Sequence, residues 1–113
     1  MTTDATMGGP PVPFTATSVE TTPGSFTLQV VGEIDLRTRP LLDAELARLM
    51  EKQPSELAVD MTGVSFCAST GLGALVELNN RFRTENRTLR ILVSPALHRI
   101  IDLAGLSNVL PLA

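Results

Sequence analysis

The chain has 113 residues, 43% of them hydrophobic and 19% charged, which suits the buried core of one domain and excludes wholesale disorder. A net charge of −3, scattered basic residues and the absence of Trp and Tyr argue against direct nucleic-acid binding. One cysteine excludes an internal disulfide, and one cysteine with one histidine argues against a zinc site.

The apolar pattern predicts neither a membrane segment nor a targeting signal. No apolar run approaches the roughly 18–20 residues that a membrane-spanning helix needs. The N-terminus lacks the basic and then apolar stretch of a secretory signal. We therefore expect a small cytoplasmic domain that contacts no membrane and carries no cofactor or metal.

The chain opens with a predicted flexible tail and a β-hairpin. Residues 1–13 hold three prolines and two glycines, with almost no periodic apolar residues. Residues 14–19 are rich in strand-forming Thr, Phe and Val, and residues 21–25 form a turn cluster, TTPGS. Residues 26–31 then alternate between apolar and polar side chains, so these segments together predict a hairpin.

Strands and helices alternate after the hairpin. Apolar stripes of helical period start at Leu42, Leu72 and Leu97. Ser94 is predicted to cap the last helix, and Gly105 to end it in a left-handed conformation. The predicted elements are a helix over 38–53, a strand over 57–61, a helix over about 70–83, a strand over 88–93, a helix over 95–104 and a short strand over 109–112. The order β-β-α-β-α-β-α-β requires parallel neighbours joined by right-handed crossovers.

The segment CASTG, residues 67–71, joins the third predicted strand to the second predicted helix. It places the hydroxyl groups of Ser69 and Thr70 at the entrance of that helix. A helix N-terminus has unpaired backbone N–H groups and the positive end of a dipole, so it accepts either a capping oxygen or a phosphate. Because one hydroxyl is enough for a cap, we predict that Thr70 caps the helix and that Ser69 faces solvent.

The same turn could instead serve a catalytic, nucleotide-binding or redox site. A nucleophilic serine needs a nearby base, and nothing in the sequence places the single histidine, His98, near Ser69. Gly71 and Gly73 lack the spacing and the lysine of nucleotide-binding loops, so we predict that both let the helix pack close to the sheet, with a weak anion site as the alternative. Cys67 is predicted to be a small buried residue, with redox sensing as the alternative if its thiol is exposed. We expect no enzyme activity.

Several short segments stand at spacings shared with a known family. They are GEID at 32–35, VDM at 59–61, VSF at 64–66, STGLG at 69–73, SPAL at 94–97 and IDLAGL at 101–106. Together they resemble the STAS domain, and most of all the free-standing anti-sigma factor antagonists of bacteria. The resemblance covers about residues 14–112.

The resemblance implies an α/β fold with one STAS-like domain over residues 14–113. Its sheet would be mixed and mostly parallel, with about five strands, an opening hairpin and helices packed on one face. Relatives usually continue into one more helix beyond the position of Ala113, so the resemblance also implies an uncovered sheet edge or helix face near the end of this chain.

The resemblance further implies a regulatory role in transcription. The domain would bind an anti-sigma factor that is also a GHKL-type serine kinase, and so free a sigma factor. Ser69 matches the residue that the kinase phosphorylates, with Thr70 as the other candidate, and a serine phosphatase would remove the phosphate. The implied contact residues are Asp35, Ser69, Thr70, Gly71 and Leu72, with Asp35 close to the acceptor in space.

One position departs from the family pattern at the switch itself. Many members carry an aspartate immediately before the acceptor, where this chain has Ala68. The alternative function within the same family is a ligand-sensing module. It would use the turn as a site for a nucleotide, another anion or a small ligand without covalent change.

Overall fold

A computed structural model describes residues 12–113 of the chain. The predicted flexible tail falls almost entirely on residues 1–11, which lie outside the described part. In chain order the elements are β1 (Thr15–Thr22), β2 (Ser25–Ile34), α1 (Arg39–Glu51), β3 (Glu56–Cys67), α2 (Ser69–Thr84), β4 (Thr88–Val93) and α3 (Pro95–Leu103). The predicted α/β class and the predicted order of elements are therefore confirmed as far as α3.

The described strands form one sheet in the order β1-β2-β3-β4. β1 and β2 are the predicted antiparallel hairpin, and the turn between them contains Gly24 at a φ of +83°. β3 runs parallel to both β2 and β4, as the two strand–helix–strand units require. The sheet is mixed and mostly parallel, which agrees with the sequence-based prediction.

The predicted fifth strand is reduced to a single parallel bridge between Ile91 and Leu112. The Ile91 N–H donates to the Pro111 carbonyl at 2.9 Å, and the Ala113 N–H donates to the Ile91 carbonyl at the same distance. Pro111 has no N–H to donate to the ladder, and residues 107–110 form turns rather than extended chain. The prediction of a strand over residues 109–112 was therefore wrong in extent.

The helices cover one face of the sheet, as predicted. Along β2 the buried and exposed positions alternate, so Leu28 and Val30 are buried while Gln29 between them is exposed. β3 has a mostly apolar sequence over residues 57–61, but only one of its faces is fully buried. The core combines this face with the apolar stripes of the helices: Phe26, Leu28, Val30, Ile34, Leu42, Leu49, Leu57, Val59, Met61, Val64, Cys67, Leu72, Ala74, Leu75, Leu78, Phe82, Leu89, Ile91, Leu97, Ile101 and Leu110.

β3 is longer than predicted, because it continues past residue 61 to Cys67. Its 12 residues lie beside the 10 residues of β2, and the register shifts twice along the pair. Each shift is a β-bulge that places one extra residue on β3. As a result the buried residues at the end of the strand, Met61, Val64 and Cys67, are three positions apart instead of two.

Both ends of α3 follow local chemistry closely. The Ser94 hydroxyl accepts the Leu97 N–H at 3.1 Å, which is the predicted cap of α3. Gly105 has a φ of +76°, and the Leu106 N–H folds back onto the Ile101 carbonyl at 3.0 Å, as expected for a glycine-terminated helix.

Candidate functional site

The candidate site lies where two neighbouring parallel strands end. Ile34, the last residue of β2, pairs with Cys67, the last residue of β3. The Ala68 N–H then donates to the Ile34 carbonyl at 2.9 Å, which extends the pairing by one step. Asp35 and Ser69 therefore both follow the carboxyl ends of adjacent strands, at one edge of the sheet. This arrangement agrees with the expectation that Asp35 lies close to Ser69 in space.

A single glycine allows α2 to start against the sheet. A Cβ atom on Gly71 would lie 2.6 Å from the Ile34 Cγ2 atom, a distance that real Cβ contacts do not reach. At Gly73 an added Cβ would meet no atom within 4 Å. The prediction that both glycines permit close packing is thus confirmed at Gly71 and wrong at Gly73.

The start of α2 has no side-chain cap. α2 begins at Ser69 and its N-cap is Ala68, whose methyl group cannot accept a hydrogen bond. The Ala68 carbonyl accepts the N–H groups of Gly71 at 2.9 Å and Leu72 at 3.1 Å. The prediction that Thr70 caps the helix was wrong, because Thr70 is the second residue inside it. Within the described part of the chain, no side chain therefore caps the first N–H groups of α2, and its first turn contains no acidic residue to oppose the helix dipole.

The two adjacent hydroxyl groups have different surroundings. Ser69 is exposed, and its Oγ forms no hydrogen bond with residues 12–113. Thr70 is half-buried, and its Oγ1 accepts a hydrogen bond from the Arg39 Nη1 at 3.0 Å. The prediction that Ser69 faces solvent is confirmed. The hydrogen-bond partner of the Thr70 hydroxyl, however, is the Arg39 side chain and not the backbone of the helix.

Arg39 links the first turns of α1 and α2. Its Nη1 also donates to the Thr70 carbonyl at 2.5 Å, and its Nε donates to the Asp43 carboxylate at 2.8 Å. The Nη2 lies 3.5 Å from a carboxylate oxygen of Glu77. The hydrogen bond to Asp43 raises the pKa of Arg39, so the guanidinium is charged at every working pH. Sequence reasoning missed this residue, and the only available signal was the four-residue spacing from Asp43.

Asp35 is held by the loop that it begins. Its Oδ1 accepts the Thr38 N–H at 3.0 Å and the Arg37 N–H at 2.9 Å, and its Oδ2 lies 3.4 Å from the Arg37 guanidinium. These hydrogen bonds, led by that of Thr38, hold the pKa of Asp35 below its ordinary value of 3.8. The carboxylate is therefore negative at neutral pH. It makes no hydrogen bond with Ser69, so its influence there is electrostatic.

Residues 16–113 match the family model of the STAS domain. The chain belongs to the STAS domain family. An anti-sigma-B factor antagonist of Listeria monocytogenes is 34% identical over 82 residues, which cover 72% of each chain. The crystal structure of an anti-sigma factor antagonist from Mycobacterium paratuberculosis has a TM-score of 0.79 at 29% identity, and covers 88% of this chain and 85% of that one.

The fold of this STAS domain is shared with a more distant antagonist. SpoIIAA in its unphosphorylated form has a TM-score of 0.71 at 14% identity, covering 89% of this chain and 86% of that one. SpoIIAA in its phosphorylated form has a TM-score of 0.67 at 15% identity, covering 88% and 89%. Because the sequence identity is so low, these two comparisons show only that the fold is the same.

The remaining predicted residues of this STAS domain are placed as follows. Gly71 and Leu72 are both buried, so neither residue presents a side chain to solvent. Cys67 is also buried, and burial raises the pKa of its thiol to about 11, so very little of the reactive thiolate forms at neutral pH. His98 is exposed on α3 and makes no hydrogen bond with Ser69.

Two exposed apolar side chains of this STAS domain were not predicted. Leu36 follows Asp35 directly and is 81% exposed, and Phe66 lies two residues before Ala68 and is 46% exposed. Phe66 is paired with Glu33 across the second bulge, which turns it away from the core. Leu36 directly follows Asp35 in the chain, and Phe66 is the residue before Cys67 at the end of β3. Single exposed apolar side chains are common on folded domains, so it is their position next to the candidate turn in the chain that makes these two worth testing.

No helix in the described part of this STAS domain is long and apolar enough to cross a membrane.

Proposed function

We propose that this STAS domain is an anti-sigma factor antagonist that binds an anti-sigma factor with serine kinase activity. Phosphorylation of Ser69 by that partner ends the binding, and a serine phosphatase restores it. The observation that carries the proposal is the exposed Ser69 hydroxyl, which has no hydrogen-bond partner among residues 12–113 and stands at the uncapped start of α2. The names of the relatives and the existence of a phosphorylated form of SpoIIAA support the same assignment.

The contact surface contains Asp35, Ser69 and Thr70, flanked by Leu36 and Phe66. On binding, the apolar side chains of Leu36 and Phe66 would be buried against the partner, and hydrogen bonds from the polar turn would fix the orientation of the partner. Gly71 and Leu72 act on this surface indirectly, by holding the start of α2 against the sheet, because both residues are buried.

The switch is one phosphoryl transfer. The Ser69 Oγ attacks the γ-phosphorus of ATP, the bond from that phosphorus to the bridging oxygen breaks, and ADP leaves. A base on the kinase takes the hydroxyl proton. Ser69 gains roughly 1.5 to 2 negative charges and three acceptor oxygens. The domain itself is the substrate and carries out no catalysis in this scheme.

The new charge acts on binding and not on the fold. At the start of α2 a phosphate meets the positive end of the helix dipole and free N–H groups, so the domain stays folded. The ionised Asp35 nearby adds to the negative field that a partner carboxylate or nucleotide would meet. A loss of about 3 kcal/mol weakens binding more than a hundredfold, because ~1.4 kcal/mol corresponds to a factor of ten. Such a partner is cytoplasmic, and we place the domain there as well.

The test is incubation of the domain with a candidate anti-sigma factor kinase and ATP, followed by intact mass and peptide mapping. We expect one phosphate, on Ser69, and none on Ser69→Ala. The Ser69→Asp variant is expected to lose partner binding more than about a hundredfold while its melting temperature stays within a few degrees. If no phosphate is added and Ser69→Ala leaves regulation unchanged, the covalent switch is wrong.

A second experiment separates the alternative of a non-covalent sensor. The uncapped N-terminus of α2 is also suited to a free anion. Titration with a nucleotide, followed by NMR at Gly71 and Gly73, would show saturable shifts that need no kinase if the sensing function holds. We expect no such saturation.

A further inference from the structure

Arg39 gives the two hydroxyl groups at the start of α2 different chemical environments. We propose that Arg39 is the specificity-determining residue that makes Ser69, and not its neighbour Thr70, the phosphoacceptor. The inference rests on the proposed function, since it concerns the choice between two hydroxyl groups in the same transfer. The side chains of serine and threonine are both substrates of this chemistry, so a difference between them has to come from their surroundings.

The first observation is the contact with the Thr70 oxygen. The Arg39 Nη1 donates to the Thr70 Oγ1 at 3.0 Å and to the Thr70 carbonyl at 2.5 Å. An oxygen that accepts a charged hydrogen bond has less electron density for attack on phosphorus, and it must break that bond to reach the nucleotide. Ser69 has no such contact within the described part of the chain, and its side chain is exposed.

The second observation is that Arg39 is itself fixed. Its Nε bonds to Asp43 at 2.8 Å within α1, and its Nη2 lies 3.5 Å from Glu77 on α2. Carboxylates from two helices thus hold the guanidinium, and its side chain is only 22% exposed. The contact to Thr70 is therefore supported by groups on both helices of the folded domain.

The expected consequence of removing Arg39 is a second acceptor. In its absence the Thr70 Oγ1 attacks the γ-phosphorus of ATP as Ser69 does, with ADP leaving and the hydroxyl proton passing to a base on the kinase. Rotation about the Cα–Cβ bond of Thr70 is then no longer opposed by the guanidinium. The loss of one charged hydrogen bond predicts a rise of at least about tenfold in the rate of phosphorylation of Thr70.

The test uses the full chain, an anti-sigma factor kinase that phosphorylates the wild type, and ATP. Phosphothreonine and phosphoserine are quantified by peptide mapping in wild type, Arg39→Gln, Ser69→Ala and the double variant. We expect phosphate on Thr70 in Arg39→Gln and in the double variant, and almost none in Ser69→Ala alone. Arg39→Lys restores a single hydrogen bond and is expected to lie between wild type and Arg39→Gln.

Arg48→Gln is the matched control, because Arg48 is also an arginine of α1 with a carboxylate partner, Glu45, on the same helix. It removes the same charge without touching Thr70 and should leave the ratio of phosphothreonine to phosphoserine unchanged. Circular dichroism and amide exchange at Thr70 show that each variant is folded and whether the turn has loosened.

The outcomes separate the two proposals. Phosphate on Ser69 in every variant that retains it, with none on Thr70 after Arg39 is replaced, overturns the role of Arg39 and leaves the switch intact. Phosphate on Thr70 in Ser69→Ala with Arg39 present also overturns it. A wild-type chain that accepts no phosphate from any anti-sigma factor kinase overturns both.

Discussion

Gly71 lies so close to Cys67 that a Cβ atom at residue 71 would stand 2.6 Å from the Cys67 Sγ. Gly71→Ala should therefore push α2 away from the end of β3. We expect a loss of about 1 to 3 kcal/mol in the free energy of unfolding, the usual cost of overpacking a core. Urea denaturation followed by circular dichroism measures it.

Gly73→Ala is the matched control for that experiment. Its added methyl group meets no atom within 4 Å, and alanine is a better helix former than glycine. We expect a gain of about 0.5 to 1 kcal/mol. Equal effects of the two substitutions, in either direction, would mean that the contact with Cys67 does not limit the approach of α2.

Ala68→Asp should stabilise the domain by supplying the missing cap. Ala68 has the extended conformation of an N-cap residue, with φ −72° and ψ 168°, but no side-chain acceptor. An aspartate there accepts an N–H from the first turn and opposes the helix dipole, which is worth about 1 kcal/mol. Thermal denaturation of Ala68→Asp and Ala68→Asn separates the two effects, since the asparagine supplies the cap without the charge. No gain from either substitution would show that the start of α2 is already satisfied.

Cys67 should react with thiol reagents only slowly in the folded domain. Burial raises the pKa of its thiol from 9.0 to about 11, so the thiolate fraction at a given pH falls about a hundredfold before steric protection is counted. Reaction with Ellman's reagent at pH 8, with and without urea, measures the ratio of rates. A native rate within tenfold of the unfolded rate would mean that the thiol is accessible, and redox sensing would then need a new test.

The Asp35 carboxylate should stabilise the folded domain at neutral pH but not in acid. Its folded pKa is lowered, chiefly by the Thr38 N–H, so its stabilising effect is present above the ordinary value of 3.8 and is lost as pH falls through the lowered pKa. The difference in melting temperature between wild type and Asp35→Asn should therefore be constant near neutral pH and shrink in acid. A carboxyl resonance of Asp35 that titrates above 3.8 by NMR would contradict this.

Local patterns in the sequence were sufficient to predict most of the fold. The spacing of Leu72, Leu75 and Leu78 defined the buried face of α2, and all three are buried. The caps of α3 were predictable because Ser94 and Gly105 act on neighbours within a few residues. These features depend on contacts that are short in sequence, and such contacts follow from residue type and spacing.

Some features that depend on pairing between distant segments were not predicted. The bulges of β3 space its buried residues three apart at the end of the strand. This spacing matches neither the two-residue period of a regular strand nor the roughly 3.6-residue period of a helix. The contact of Arg39 with Thr70 joins residues 31 positions apart, and no local pattern marks it. Thr70 was assigned as the cap because a hydroxyl next to a glycine favours that role, but the helix begins one residue earlier than its predicted start.

The candidate site was predicted in part. Ser69 and Asp35 were named from their positions after strands and from the family resemblance, and the structure places both at the same edge of the sheet. Leu36 and Phe66 were not named, because an apolar residue in a strand or loop is usually buried and its exposure depends on the bulge and loop geometry.

The contact between Arg39 and Thr70 exists only in a folded chain, because the two residues come from different strand–helix units. A short synthetic peptide around Ser69 has neither Arg39 nor the strand pairing, so both of its hydroxyl groups are equally free. We therefore expect the kinase to phosphorylate both hydroxyl groups of such a peptide. In samples of the full chain, a raised ratio of phosphothreonine to phosphoserine would then indicate that part of the sample was locally unfolded during the reaction.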